Sequence, residues 1–288
     1  MSRALILDFD RSVRALVDST SIDLTEWQQR IRYACSARDL RSLEAVLDGP
    51  PATLPPVTFL GSGDFHHVSL PLIRRWESRG RFQVVVFDNH PDNMRYPWGI
   101  HCGSWVHHVC ALPFVSAVTV IGITSSDVAW QHLWENHLAA LYRGKLSYLC
   151  LRKIPALARI VALPGLHDLS GERHRLVEVV AERILGERVD PIYLSIDKDV
   201  LAREAVVTNW DQGILRVEEV VGILRRLRQR IFAADVTGEV SFIRYASLWK
   251  RALARLDGQS LAPSPGLAEL QAEHHAVNER LLDAISGT

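Results

Sequence analysis

No apolar stretch in this 288-residue sequence approaches the roughly 20 residues that a membrane span requires. Excess charge is missing too, since 33 basic side chains balance 33 acidic ones. A nucleic-acid groove or an anionic membrane surface calls for clustered basic residues, so neither is expected as a partner. The one dense basic run, Arg225–Arg226–Leu227–Arg228–Gln229–Arg230, has the composition of a solvated helix face. Cysteine is scarce. Cys35, Cys102, Cys110 and Cys150 form neither a CxxC pair nor a disulfide-like rhythm, which suits a reducing compartment. Repeats and low-complexity tracts are absent. Met1 to Asp10 hold only a short apolar run ending in acids, too short for a signal-peptide core, so it reads as a first strand. These absences point to a soluble, cytoplasmic protein.

What is present is a chain that is 48% hydrophobic and long enough to bury a core without disulfide or zinc staples. Short apolar runs alternate with segments of helical period. The strands to expect are Ala4–Asp8, Val57–Leu60, Phe82–Phe87, Ala117–Ile123, Leu146–Leu149, Arg159–Ala162, Ile192–Ile196 and Ile231–Asp235. Between them, Thr25–Leu47, Val68–Arg79, Ser126–Tyr142, Glu172–Leu185 and Val217–Arg230 space apolar residues three and four apart, as helices do. Such alternation predicts an α/β fold with helices on both faces of a mostly parallel sheet of about eight strands. Val84–Val85–Val86–Phe87 is apolar throughout, as a strand covered on both faces should be. Gly49–Pro50–Pro51–Ala52–Thr53–Leu54–Pro55–Pro56 is a stiff connection, read here as lying within one domain spanning 1–288. The tail from about residue 263, after Pro263–Ser264–Pro265–Gly266, is expected to be a final helix.

In a parallel α/β sheet, ligands bind beyond the carboxyl ends of the strands. Four expected strands deliver polar residues to that edge: Gly61–Ser62–Gly63–Asp64–Phe65–His66–His67, Asp88–Asn89–His90–Pro91–Asp92, Asp197–Lys198–Asp199 and Asp235–Val236–Thr237–Gly238–Glu239. In Asp88-x-His90-x-Asp92, alternate residues of an extended segment point the same way, so two carboxylates and an imidazole converge. Such a donor set suits Mn²⁺, Mg²⁺, Fe²⁺ or Zn²⁺. The competing reading is an ordinary turn, because Asp, Asn and Pro are turn formers. Asp197-x-Asp199 alone reads equally well as a loop salt-bridged by Lys198. Together the two pairs gather four carboxylates, which a bound cation would stabilise. Of His66 and His67, at most one is a ligand. His101, in His101–Cys102–Gly103–Ser104–Trp105, can shuttle a proton or be a satisfied loop histidine. His107 and His108 read as structural, and Cys102 is given no role.

Assembled, these segments resemble the ureohydrolase family of arginase, agmatinase, guanidinobutyrase and formiminoglutamase. Its signatures are Gly-Gly-Asp-His, Asp-Ala-His-x-Asp and Ser-x-Asp-x-Asp-x-x-Asp-Pro. Asp88–Asn89–His90–Pro91–Asp92 matches the second, and Ser195–Ile196–Asp197–Lys198–Asp199 the first half of the third. Gly63–Asp64–Phe65–His66 matches the first with Phe65 inserted, which favours His66 over His67. His101–Cys102–Gly103–Ser104–Trp105 resembles the agmatinase His-Gly-Thr-x-Phe segment with one extra residue. The resemblance spans about residues 57 to 240. It implies a three-layer α/β/α fold, a homo-oligomeric assembly, and two divalent ions per chain, Mn²⁺ first among candidates. The implied ligands are His66, Asp88, His90, Asp92, Asp197 and Asp199, with Asp88 and Asp197 shared between the ions. It further implies His101 as proton shuttle and Glu239 as the partner of a substrate guanidinium.

The sequence also departs from the pattern. Leu201–Ala202–Arg203 stands where Leu-Asp-Pro is expected, and Thr208–Asn209–Trp210–Asp211–Gln212–Gly213 replaces a Gly- and Pro-rich substrate loop. Asp211 there and Arg95 in the short loop Asn93–Ile100 are the substrate-binding candidates, Arg95 as a grip for a carboxylate. The expected reaction is hydrolysis of a guanidino or formimino C–N bond, giving urea or a related amide plus an amine. Bound cations bring water towards ionisation at neutral pH for such an attack. The alternatives are a deacetylase-like amide hydrolase with one zinc, a non-catalytic protein of the same fold, and a metal phosphoesterase. Neither substrate nor native metal follows from the sequence.

Overall fold

The computed structural model describes residues 3–47, 55–129, 131–154, 163–187, 189–243, 245–257, 259 and 266–287. Its centre is a nine-stranded sheet. In chain order the strands are β1 (Ala4–Asp8), β2 (Ser19–Asp23), β4 (Val57–Phe59), β5 (Phe82–Phe87), β7 (Val115–Ile123), β8 (Leu146–Cys150), β9 (Leu166–Asp168), β10 (Ile192–Asp197) and β11 (Ile231–Thr237). Their spatial order is β2-β1-β4-β11-β10-β5-β7-β8-β9, and all eight pairings are parallel. A separate antiparallel ribbon joins β3 (Ala34–Cys35) to β6 (Ile100–His101). Because β1 pairs with β4, the segment before the Pro-rich stretch belongs to the main sheet.

Side chains alternate across a strand, and here both faces are covered. Leu5, Leu7, Val84, Val86, Val118 and Val120 enter one core with helices α2 (Ala37–Leu47), α3 (Ser69–Arg74), α4 (Trp105–Cys110) and α5 (Leu138–Tyr142). Ala4, Ile6, Val85, Phe87, Leu194 and Ile196 enter the other with α6 (Leu176–Glu187), α7 (Val217–Leu227) and α9 (Leu267–Ser286). The result is a three-layer α/β/α arrangement. Each buried aliphatic side chain contributes about 1.5–3 kcal/mol, and the central strands β5 and β10 are buried at every position. The tail is a helix packed on the body, with Val277, Leu281 and Leu282 in the core.

Three expectations on local structure change. The helix expected over Thr25–Leu47 is interrupted: a short α1 (Gln28–Ile31) ends where Arg32 turns into a buried ion pair with Asp64, and Tyr33 takes a positive φ of 70°. Ala34–Cys35 then pairs with β6, and α2 restarts after Ser36, whose hydroxyl accepts from the Asp39 amide at 3.0 Å. That cap was readable as Ser-x-x-Asp. Ser126–Tyr142 is mostly not helix. Its backbone bonds across to Asn93 and Arg95 instead (His137 N to Asn93 O 3.1 Å, Arg95 N to Glu135 O 2.8 Å), leaving only α5. The strand expected at Arg159–Ala162 lies outside the described residues, and β9 pairs with β8. β2 escaped the apolar pattern because Ser-Thr-Ser-Ile-Asp is an exposed edge.

Candidate metal centre

The four strands singled out by their polar ends, β4, β11, β10 and β5, are neighbours in the sheet. Each chain segment leaving them is therefore brought to one stretch of the carboxyl edge. After β4, the Ser62 side chain caps a turn of 3-10 helix, Gly63–Val68, which swings His66 inward. His66 Nδ1 lies 3.1 Å from Asp88 Oδ2, 3.0 Å from Asp92 Oδ2 and 3.6 Å from Asp197 Oδ2. On the other side, His90 Nδ1 lies 2.9 Å from Asp199 Oδ2 and 3.5 Å from Asp88 Oδ1. Two donor groups result, His66–Asp88–Asp197 and Asp88–His90–Asp199, each with its ligand atoms within 4.8 Å of one another. The Asp88 carboxylate belongs to both.

Asp92 arrives by a route different from simple alternation. Its φ is +45°, a left-handed conformation that Asp tolerates better than most residues. That turn aims Oδ2 at both His66 Nδ1 and the Trp105 indole N–H, which donates at 2.7 Å. Close packing of the loops depends on glycine. A Cβ on Gly63 would stand 2.7 Å from Asp197 Oδ2. Gly238, at φ +91°, lies against the Asp197 carboxylate and the Lys198 amide, where no side chain fits.

Hydrogen bonds behind the ligands fix their orientation. The Ser195 hydroxyl donates to Asp235 Oδ1 at 2.6 Å, so it accepts from His66 Nε2–H at 2.9 Å. Asp235 also accepts from Tyr193 (2.6 Å) and Ser69 (2.9 Å). This network puts a hydrogen on His66 Nε2 and leaves Nδ1 facing three carboxylates. Neither His66 Nδ1 nor Asp88 Oδ2 has a hydrogen-bond partner. Lone pairs set against carboxylate oxygens need a proton or a cation between them, and a ligating histidine held by its other nitrogen is the usual second-shell arrangement at metals.

The electrostatics state the same requirement. Burial, with the charge of Asp88 added, pushes the carboxyls of Asp92 and Asp199 up to about 7. Burial and Asp199 push Asp197 well above the ordinary carboxylate range. Burial opposes charge on His66 and His90, yet the surrounding carboxylates raise both well above 6.5. Asp92, Asp197 and Asp199 thus hold protons that a divalent cation would replace, whereas His66 and His90, against the effect of burial, keep the Asp88 carboxyl well below the ordinary range. The donor set of oxygens and imidazole nitrogen fits hard or borderline divalent ions.

No family model matches the sequence. A protein of Thermotoga maritima described only as uncharacterized is 28% identical over 238 residues, covering 81% of this chain and 78% of that one. Among solved structures, an arginase from Bacillus cereus superposes with a TM-score of 0.58 at 14% identity, over 94% of this chain and 86% of its own. An agmatine ureohydrolase from Thermoplasma volcanium gives 0.56 at 11% identity, over 99% and 90%. A proclavaminate amidino hydrolase from Streptomyces clavuligerus gives 0.53 at 17%, over 93% and 72%. The fold is that of the arginases. Identities this low speak to the fold alone.

In this arginase fold the ligand cluster floors a cavity of about 530 Å³. His101 lines it, as a proton shuttle must. Burial pulls its pKa down to about 4, and its Nδ1 accepts from the Gly103 amide at 2.8 Å, so it is neutral with the proton on Nε2. His67 belongs to neither donor group; it is fully buried, and burial holds it neutral. Asp211 lines the cavity, but its carboxylate accepts from His90 Nε2 at 2.7 Å and from Asn89 at 3.1 Å. Its place is behind a ligand, orienting His90. Glu239 does not line the cavity. It is buried against the Lys198 ammonium and accepts from Asn278 at 2.6 Å. That arrangement does not offer it to a substrate guanidinium. Arg95 is likewise outside the lining, exposed, with Nε donating to the Asn136 carbonyl at 3.3 Å. Cys102 lines the cavity with its thiol pushed up by burial, unsuited to ligation.

Sequence reasoning gave no role to Ser195 and Asp235, or to the lining residues Asp127, Trp210 and Asp257. Ser195 and Asp235 sit in register across β10 and β11, so only the strand order, invisible in sequence, pairs them. No helix among the described residues is long and apolar enough to cross a membrane.

Proposed function

We propose that this protein is a divergent ureohydrolase, a binuclear metal-dependent hydrolase that cleaves a C–N bond of a guanidino or formimino compound and releases urea or a related amide. The observation that carries the reading is the sharing of Asp88 between two donor groups, each with its own histidine, at the floor of a substrate-sized cavity. Asp88 and Asp197 would be shared ligands, with His66 and Asp92 completing one ion's set and His90 and Asp199 the other's. Two such ions, Mn²⁺ being the first candidate, would supply a water-derived nucleophile at neutral pH and polarise the substrate.

The chain's own groups do the rest. Ser195 and Asp235 lock the His66 tautomer, and Asp211 locks His90. Neutral His101, with its Nδ1 engaged by Gly103, presents Nε2 for passing a proton to the leaving amine. Asp88 and Asp197 line the cavity while almost fully buried, which limits bulk water around the reacting carbon.

The test is reconstitution with Mn²⁺ and assay of urea or ammonia release from arginine, agmatine, guanidinobutyrate and formiminoglutamate. Turnover of at least one, abolished by Asp88→Ala, is expected. Full activity in Asp88→Ala would sink the assignment.

A further inference from the structure

The cavity carries charge of one sign beyond its metal ligands. Asp127, Glu135, Asp211 and Asp257 stand in its walls, and among the described residues no lysine or arginine lines it. Two of these acids are answered by histidines, Asp211 by His90 at 2.7 Å and Glu135 by His132 at 3.1 Å. The other two meet neutral donors. Asp127 accepts from the Ser125 hydroxyl at 3.0 Å, and Asp257 from the Tyr33 hydroxyl. Burial holds the Asp257 carboxyl above its ordinary value, and the negative charge of Asp127 adds to that. Each therefore lies in the other's field.

The two acids sit at the rim, Asp127 half-buried and Asp257 exposed, whereas the metal ligands are buried. Met94, Trp210 and Leu256 are among the apolar lining residues of the same cavity. At the floor, Asp88 Oδ2 is buried without a hydrogen-bond partner, with His66 Nδ1 behind it at 3.1 Å likewise unpartnered, so the cavity is a built site rather than a patch of surface acids.

We propose that the cavity selects a dication, a guanidinium or amidinium joined by a short aliphatic spacer to an ammonium group. The ammonium sits between Asp127 and Asp257, the spacer runs along Met94 and Trp210, and the carboxylate-ended analogue is rejected. Arg95, the one cation considered for gripping a carboxylate, is outside the lining. The assignment of the guanidinium end rests on the hydrolase reading above; the charge preference at the rim does not.

Agmatine and 4-guanidinobutyrate are matched in length and differ at the far end in charge, so they are the probes. With the Mn²⁺-loaded protein, kcat/KM for agmatine should exceed that for 4-guanidinobutyrate at least about tenfold, since attraction to one and repulsion of the other act together. In Asp127→Asn/Asp257→Asn that ratio should collapse, chiefly through KM, with metal content unchanged. Titration calorimetry of both compounds gives a second readout that needs no turnover, and it should show the same preference and the same collapse. Equal or better use of 4-guanidinobutyrate, a ratio that survives the double variant, or failure of agmatine to bind would overturn the proposal. Preferential agmatine binding without hydrolysis would sustain the dication site and overturn the hydrolase reading instead.

Discussion

The floor and the rim of the cavity are built from different kinds of chain. Floor residues follow three strands of one neighbourhood in the sheet, β4, β5 and β10, and Asp88, Asp197 and Asp199 are each at most 3% exposed. Three others are fixed by a side chain behind them: His66 by Ser195, Asp92 by Trp105, His90 by Asp211. The rim comes from segments far apart in sequence, around Asp127, Trp210 and Asp257, and its acids are half-buried or exposed. A rigid floor suits chemistry that needs fixed donors, and an open rim suits selection by charge. The two should therefore respond to mutation on different scales.

The largest effect is expected at the floor. Asp88→Ala or Asp197→Ala should remove both bound metal and turnover, a loss of about a thousandfold or more if the ion supplies the nucleophile. Metal analysis beside a rate measurement checks it. Next is the buried support behind the floor. Glu239→Ala strands the fully buried Lys198 ammonium and should cost about 3–5 kcal/mol of stability, read by denaturant unfolding. A Glu239→Ala protein of normal stability but raised KM would return Glu239 to the substrate.

Smaller is the loss of orientation. Asp235→Asn should weaken metal binding about 10–100-fold while the ligands stay in place, since it disturbs the Ser195 link to His66 and the bonds from Tyr193 and Ser69 but removes no ligand. Unchanged affinity would show that the network behind His66 is structural only.

The smallest effect is a pH dependence of the metal-free protein. Asp92 and Asp199, with folded pKa values near 7 against an ordinary 3.8, hold protons that the unfolded chain has released. Their contribution to stability is full below about pH 3.8 and is lost as pH rises through 7. The chelated protein should thus lose stability from pH 6 to 8, whereas metal affinity should rise over that range because ions displace those protons. Melting curves with chelator and with Mn²⁺ check the sign. Metal affinity independent of pH would contradict it.

The same division explains what the sequence made legible. Runs such as Val84–Phe87 report a strand buried on both faces, and the acids that follow report its ligand-binding end. His66, Asp88, His90, Asp92, Asp197 and Asp199 could be named because each lies within a few residues of such a run. The strand order is set by crossovers, which no local pattern encodes, so the pairing of Ser195 with Asp235 stayed hidden. The helix break at Arg32–Ser36 is likewise dictated from a distance, by Asp64 and by β6. Glu239 shows the limit of motif transfer. Its position after β11 resembles a substrate-facing glutamate, but Lys198 and Asn278 claim its carboxylate. The rim was illegible because its acids come together only in three dimensions.

The most direct test of the central claim is a count of ions. Mn²⁺ should be titrated into chelated protein with calorimetry and elemental analysis, for the natural chain and for Asp88→Ala. The shared carboxylate predicts two ions per chain, with neither retained at comparable affinity once Asp88 is removed. A single ion per chain, or two that persist in Asp88→Ala, would contradict it.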